Sequence, residues 1–369
     1  MINNGFLLVG ASSAYTPTGS LFSWGNNNYG VFGDGNSGYP VTEISPKLIG
    51  TKKWKQIAAS TYASMGIDEN DDLYTWGYSS AGVLGNGTQS TFQTTPVKIT
   101  SLKWKEISVK YESAYAITLD GDLYAWGAND LAQLGDGTYN SPVLNPQKIG
   151  SLKWSKIQAL QYGAMGLSEN GELYTWGYNY YGSLGNDNLN EYHEIPTKIG
   201  TKTWKSISAN YHTCFAIDTN DDLYSWGYNA GIGLLGNANA YGSVAVPTKI
   251  TTLKWSMVSA GGNHIGAITT SGDLYTWGMA SVGVLGNNTS SGDVYVPTKI
   301  GSKKWLTLSF GFGHSLAIDD KNELYACGAD NYGQQGNGSI TGNVLVFTKI
   351  GSEKWNKISA GMQYSLALQ

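Results

Sequence analysis

Arginine is absent: all 23 basic residues of this 369-residue chain are lysines. Paired recognition of phosphate, carboxylate or guanine edges is chiefly guanidinium chemistry, so no nucleic acid is expected as a partner. Cysteine is nearly absent too. Cys214 and Cys327 lie in strand-like phrases far apart and make no disulfide framework or metal-ligand spacing, so both are expected as buried thiols. Charged residues make up only 14% of the chain, with a net charge of −4, and the polar surface must come from Asn, Ser, Thr, Tyr and Gly. No long apolar run exists. Phe6 to Val9 is too short for a signal core or a membrane span, and no basic segment precedes it, so neither classical secretion nor a membrane span is expected.

The catalytic vocabulary is equally thin. His193, His212, His264 and His314 form no zinc or triad-like spacing, and neither a Gly-x-Ser-x-Gly elbow nor a phosphate loop occurs. Gly135-Asp136-Gly137-Thr138 offers one carboxylate per turn, too few oxygens for calcium and well explained as turn chemistry. The reading is therefore no catalytic residue, no metal and no cofactor.

What the chain has is one phrase, repeated. Leu-Tyr-x-Trp-Gly ends at Trp24-Gly25, Trp76-Gly77, Trp126-Gly127, Trp176-Gly177, Trp226-Gly227 and Trp277-Gly278, and with the Trp replaced at Cys327-Gly328. A second set, Trp54, Trp104, Trp154, Trp204, Trp255, Trp305 and Trp355, runs in step, and the two sets together use all 13 tryptophans. A period of about 50 residues is the size of a four-stranded propeller blade. Within one repeat, strands are expected over Leu223 to Gly227, Pro247 to Ile250, Trp255 to Ala260 and Ile265 to Ile268. Gly, Asn and Asp turns join them, and no segment has helical periodicity.

The expected fold is thus all-β, a seven-bladed propeller of four-stranded antiparallel blades occupying residues 21–369 as one domain, with 1–20 as an extension. The chain ends at Leu366-Ala367-Leu368-Gln369, where a Leu-Tyr-x-Trp-Gly strand would follow, and it begins with that missing strand, Leu21 to Gly25. The last blade is expected to be completed by the N-terminal strand, and Phe6 to Tyr15 is expected to add an extra edge strand to that blade, with docking on a neighbouring molecule as the alternative. In the strand that contains Met65, Tyr115, Met165, Phe215, Leu316 and Leu366, bulky and small residues alternate, so each blade's bulky face should meet the next blade's small face. Cys327 shrinks one blade's anchor. That blade should be looser or repacked, and Cys327→Trp should be tolerated unless a neighbour fills the space. The recurring Lys47, Lys98, Lys148, Lys198, Lys249, Lys299 and Lys349 is read as edge protection before a ligand-binding ring.

These phrases, with Asn179 to Gly185 as a copy of Asn-x-x-Gly-x-Leu-Gly, Pro-x-Lys-Ile, and Ser309-Phe310-Gly311 followed by His314 to Ile318, resemble the regulator of chromosome condensation repeat family. The resemblance covers about Leu21 to Leu368 and implies a seven-bladed propeller. It also implies possible roles. The family's chromatin member exchanges nucleotide on a small GTPase and holds nucleosomes through arginines, which this chain lacks. Its plant UV-B photoreceptor uses a Gly-Trp-Arg-His-Thr phrase, which is also missing. Sialidase-type propeller chemistry, which needs an arginine cluster, is excluded.

Function should lie where the repeat varies. The hairpins carry Tyr62, Tyr111, Glu112, Tyr162, Tyr211, His212, Asn263, Phe312, Met362 and Gln363, which are expected to ring the axis on one face as a surface for protein or glycan. A second candidate set, Tyr178, Tyr180, Tyr181 and Tyr192, lies in long loops. The leading expectation is a non-enzymatic structural or binding protein in a larger assembly, such as a virion or phage-tail component. The alternative is a cytoplasmic regulatory propeller acting on a small GTPase or another protein.

Overall fold

The computed structural model describes residues 18–38, 42–340 and 342–369; the segment Phe6 to Tyr15 lies outside these residues. The described chain is built of β-strands and three single-turn 3-10 helices, Ser80–Gly82, Tyr180–Gly182 and Ser281–Gly283. Each repeat forms one antiparallel unit. The end of strand Tyr192–Ala209 pairs with Thr213–Asp218, that strand with Leu223–Tyr228, and that with Ser243–Lys249. Asp218 makes the middle turn tight: its carboxylate accepts the amides of Asn220 (2.9 Å) and Asp222 (3.0 Å). Where the same position is Thr118 or Ser168, the hydroxyl takes one of those amides instead.

The strands run longer than their apolar phrases. In four places the outer strand of one unit continues without a break into the inner strand of the next, as in Thr42–Ala59 and Val294–Phe310. Glycine at the junction makes this possible, since Gly50 takes φ +58° there with open space around it. In two of the places where the strands separate, the junction residue is Thr100 or Thr251. Its hydroxyl accepts the amide two residues on (2.9 and 2.8 Å) and turns the chain out of the sheet.

The core lies between units. Met65, Ile67 and Leu73 of one unit pack on Trp104, Ala114, Ala116 and Trp126 of the next, and the pattern recurs around the molecule. Bulky faces do meet small faces. Five of the six Trp-Gly tryptophans, all but Trp176, add a polar stitch: Trp226 Nε1 donates to the Ser183 carbonyl (2.9 Å) and Trp277 Nε1 to the Leu234 carbonyl (2.9 Å), each in the preceding unit's loop. Backbone and ring come so close there that a Cβ on Gly336 would sit 2.7 Å from Trp24 Nε1. Side chains on the inner strands stitch again. Ser108, Ser208, Ser259, Ser309 and Ser359 accept the amides of Ala159, Ala260, Phe310, Ala360 and Ala59 at 2.8–3.0 Å.

Strand Gly19–Asn26 lies between Tyr364–Leu368 and the start of Thr42–Ala59, with Leu21 opposite Leu368 on one side and Ile49 on the other. Leu21, Leu366 and Leu368 share one buried cluster with Trp54 and Trp76.

Two units lack an anchor, and in each a phenylalanine replaces it. Gly266 stands where other units have Met, Tyr, Phe or Leu, and the ring of Phe310 occupies the site, 2.3 Å from where a Cβ would be. Beside Cys327, Phe347 fills the tryptophan space. The blade is therefore repacked, and the condition attached to Cys327→Trp is met. The repeated lysines are ion-paired. Lys249 and Lys254 both reach Asp222 (2.8 Å each), and Lys299 and Lys304 both reach Asp273 (3.1 and 2.7 Å). The pairs at Asp72, Asp122 and Glu323 are alike. Two lysines hold Asp273 at about 2, below the usual carboxylate range.

Candidate binding face

The hairpins after the inner strands and the long loops after the Trp-Gly strands share one end of the units, because each hairpin strand begins opposite the end of the Trp-Gly strand, as at Thr213 and Gly227. The expected hairpin residues divide there into two groups. Tyr111, Tyr211, Phe312 and Met362, from hairpins of different units, line one small cleft. The Tyr111 and Tyr211 rings lie 5.4 Å apart, and Tyr211 and Phe312 lie 6.2 Å apart.

Tyr62, Tyr162 and His212 turn outward and join the loops. Tyr162 meets Tyr180 (6.4 Å) and His212 (5.4 Å), and Tyr180 meets His212 (4.8 Å) and Tyr181 (4.1 Å). Tyr178 stacks on Tyr192 at 4.7 Å, and Tyr181 on Tyr228 at 4.2 Å. Tyr139 extends the chain of rings to Tyr192 at 5.8 Å. Of the hairpin set, Tyr162 and His212 thus form one aromatic patch with the loop tyrosines, with Tyr139 and Tyr192 exposed at its edge. Burial between these rings pushes His212 down to about 4, so it is neutral at pH 7. A smaller patch, Tyr29, Tyr62, Tyr78 and Phe92, repeats the arrangement elsewhere on the face.

The remaining candidates serve the scaffold. Glu112 accepts the Ser80 hydroxyl, Gln363 accepts Asn26 Nδ2 (3.0 Å), and the Asn263 carbonyl accepts the Met279 amide (2.9 Å). His264 and His314 reach across units to Ser315 Oγ (2.8 Å) and Ser365 Oγ (2.9 Å), and burial pushes both well below the ordinary imidazole range. Lys110, Tyr139 and Tyr228 belong to the face and escaped the reading by sequence. Tyr228 had a signal, since it follows Trp-Gly as Tyr178 does; Lys110 had one as well, as the sole charged residue at its hairpin position.

The opposite end of the units is polar. Gln56, Glu106, Lys156 and Lys357 border a cavity of about 850 Å³. Lys156 Nζ lies 3.5 Å from Glu106, whose carboxyl is raised by burial, while burial lowers Lys357, whose ammonium caps the Lys55 carbonyl. Among the described residues no three His, Cys, Asp or Glu side chains gather as metal ligands, and no helix is long and apolar enough to cross a membrane.

Comparison with known proteins agrees with this architecture. A family model described as the RCC1-like domain matches residues 10–317, and one for the regulator of chromosome condensation (RCC1) repeat matches 306–334. Among solved structures, Prp20p of Saccharomyces cerevisiae, described with its binding properties to Gsp1p and histones, has a TM-score of 0.84 at 20% identity, covering 96% of this chain and 92% of its own. Yeast RCC1 (Prp20) bound to Kap60 gives 0.84 at 19%, covering 100% and 96%. Human WBSCR16 gives 0.83 at 16%, covering 95% and 98%. These likenesses show a shared propeller fold. By the match over residues 10–317, the chain belongs to the RCC1-like domain family.

Proposed function

We propose that the chain is a seven-bladed protein-binding propeller, closed by strand Gly19–Asn26, that engages a protein partner through its tyrosine face. The observation that carries this reading is the continuous run of rings from Tyr139 through Tyr192, Tyr178 and Tyr180 to Tyr162 and His212. Tyrosines supply large contact area with a polar tip, at little cost in side-chain entropy, and are enriched at protein interfaces. Closure is supported by the pairing of Leu21 with Leu368 and by the Ser359 hydroxyl accepting the Ala59 amide (2.9 Å).

The family assignment favours a regulatory propeller acting on a small GTPase or another protein over a virion component. Prp20p, described as binding Gsp1p and histones, supplies the partner class; an arginine-free surface fits a protein partner better than DNA. The role is binding, and no side chain on the face is assigned to catalysis.

A photo-reactive phenylalanine analogue at position 180, compared with one at Asn70 at the opposite end, tests this in native cells. A discrete protein adduct from position 180 alone supports the reading. Adducts from position 70 alone, or only a glycan at 180, contradict it, and an adduct to a particle protein restores the virion assignment.

A further inference from the structure

The cleft between the hairpins has a volume of about 50 Å³. Tyr111, Tyr211, Phe312 and Met362 give it apolar and aromatic walls, and its lining contains one charged residue, Lys110. The positions equivalent to Lys110 are Ser60, Leu160, Asn210, Gly261, Gly311 and Gly361, so the charge breaks the repeat. Its hairpin is also built differently: Lys110 pairs with Ser113, and Tyr111 takes φ +52°, a left-handed conformation that is costly for an aromatic residue.

Two donors in this cleft are unmet. The Lys110 ammonium lies 5.4 Å from the centroid of the Tyr211 ring and meets no acceptor among the described residues. Most other lysines are held by a carboxylate or a carbonyl, as Lys249 and Lys254 are by Asp222. Burial pushes Lys110 down to about 8. Ser60, 6% exposed, lines the same cleft, and its hydroxyl has no hydrogen-bond partner. A desolvated ammonium and a buried hydroxyl without acceptors are costly, and an anion that accepts from both removes the cost.

We infer that this cleft receives the side-chain carboxylate of an aspartate or glutamate presented by a protein partner, with Lys110 and Ser60 as donors and the rings as walls. That the carrier is a protein rests on the function proposed above; the carboxylate chemistry rests on the cleft alone. The volume selects the source. A chain terminus would bring its own side chain and amide beside the carboxylate, and about 50 Å³ holds little beyond the carboxylate itself.

The test needs no identified partner. Amide shifts around Ser60 and Tyr211 are followed by NMR while N-acetyl-glutamate amide, N-acetyl-alanine with its free terminus, and N-acetyl-glutamine amide are titrated in. N-acetyl-glutamate amide should bind saturably, the glutamine analogue should not, and Lys110→Met should weaken binding about tenfold or more, the scale of one charge-assisted hydrogen bond. Ser60→Ala should weaken it less, at an unchanged melting temperature. No saturable shift, or equal binding to Lys110→Met, overturns the site, and tighter binding of N-acetyl-alanine overturns the side-chain source. If the peptide binds while the crosslinker at position 180 captures nothing, the cleft stands and the partner reading falls.

Discussion

Phe347 lies against Cys327 in the space that the Trp-Gly tryptophan fills elsewhere. A Cβ on Gly286 would meet Phe347 Cδ2 at 2.5 Å and Cys327 Sγ at 3.2 Å, whereas the equivalent Gly236 faces Trp277 Nε1 at 2.9 Å. Phe347 packs on Trp305 at 5.3 Å, much as Trp76 packs on Trp54 at 5.6 Å. It stands where neighbouring units have Pro247 and Pro297, so two departures from the repeat compensate each other. Cys327→Trp alone should overpack the site and cost about 1–3 kcal/mol. Phe347→Pro alone should leave a cavity and cost about 3–5 kcal/mol. The double variant should recover most of the loss in urea unfolding, and strictly additive costs would show that the two sites are independent.

Trp277 and Trp255, one from each tryptophan set, should respond differently to Phe. Trp277 Nε1 donates to the Leu234 carbonyl, whereas the Trp255 Nε1 in the same unit has no partner. Both changes lose ring volume, but Trp277→Phe also strands a buried carbonyl. It should be more destabilising than Trp255→Phe by about 1–2 kcal/mol. Equal losses would remove the hydrogen bond from the account.

Asp330 occupies a position that is asparagine in four other units, at Asn27, Asn129, Asn179 and Asn229. Asn129 and Asn179 accept the amides of Leu134 (3.0 Å) and Leu184 (2.9 Å) and donate to the carbonyls of Thr138 (3.1 Å) and Asn188 (2.8 Å). Asp330 accepts the Gln335 amide but has no amide group to give, and burial raises its carboxyl to about 6. The folded state therefore keeps this proton to a higher pH than the unfolded chain, whose aspartates titrate near about 3.9. Its contribution is fully present below the unfolded value and is lost as pH rises through about 6. Asp330→Asn should melt higher than the parent at pH 7, and the gap should close by about pH 4. A gap independent of pH would contradict this.

Removing residues 1–26 deletes the strand between Leu366 and Ile49 and exposes the cluster around Trp54 and Trp76. Losing buried Leu21 and Trp24 alone forfeits about 4–6 kcal/mol of apolar burial. The truncated protein should melt well below the parent in a broadened transition. A truncated chain that melts like the parent would refute the closure.

Much of this fold was legible because repetition isolates what packing needs. The strand Trp255–Ala260 has the bounds its residues implied, and the bulky-to-small alternation around Met65 and Ala114 is the observed contact. What could not be read depends on neighbours distant in sequence. The Ser359 bond to Ala59 spans 300 residues, and the Phe347 repair is visible only once its strand is placed beside Cys327. The face was legible in composition but not in grouping. A hairpin position does not say whether Tyr162 leans outward to Tyr180 or inward as Tyr211 does, because the loop beside it decides.

The patch running from Tyr139 to His212 is the proposed binding surface. The most direct measurement is partner recovery from native cells with the parent and with Tyr139→Ser/Tyr192→Ser, together with the melting temperature of each. Both side chains are exposed, at 45% and 44%, so folding should be nearly unaffected. The variant should lose the partner while melting within about 2 °C of the parent. Full retention of the partner by a variant that melts normally would contradict it.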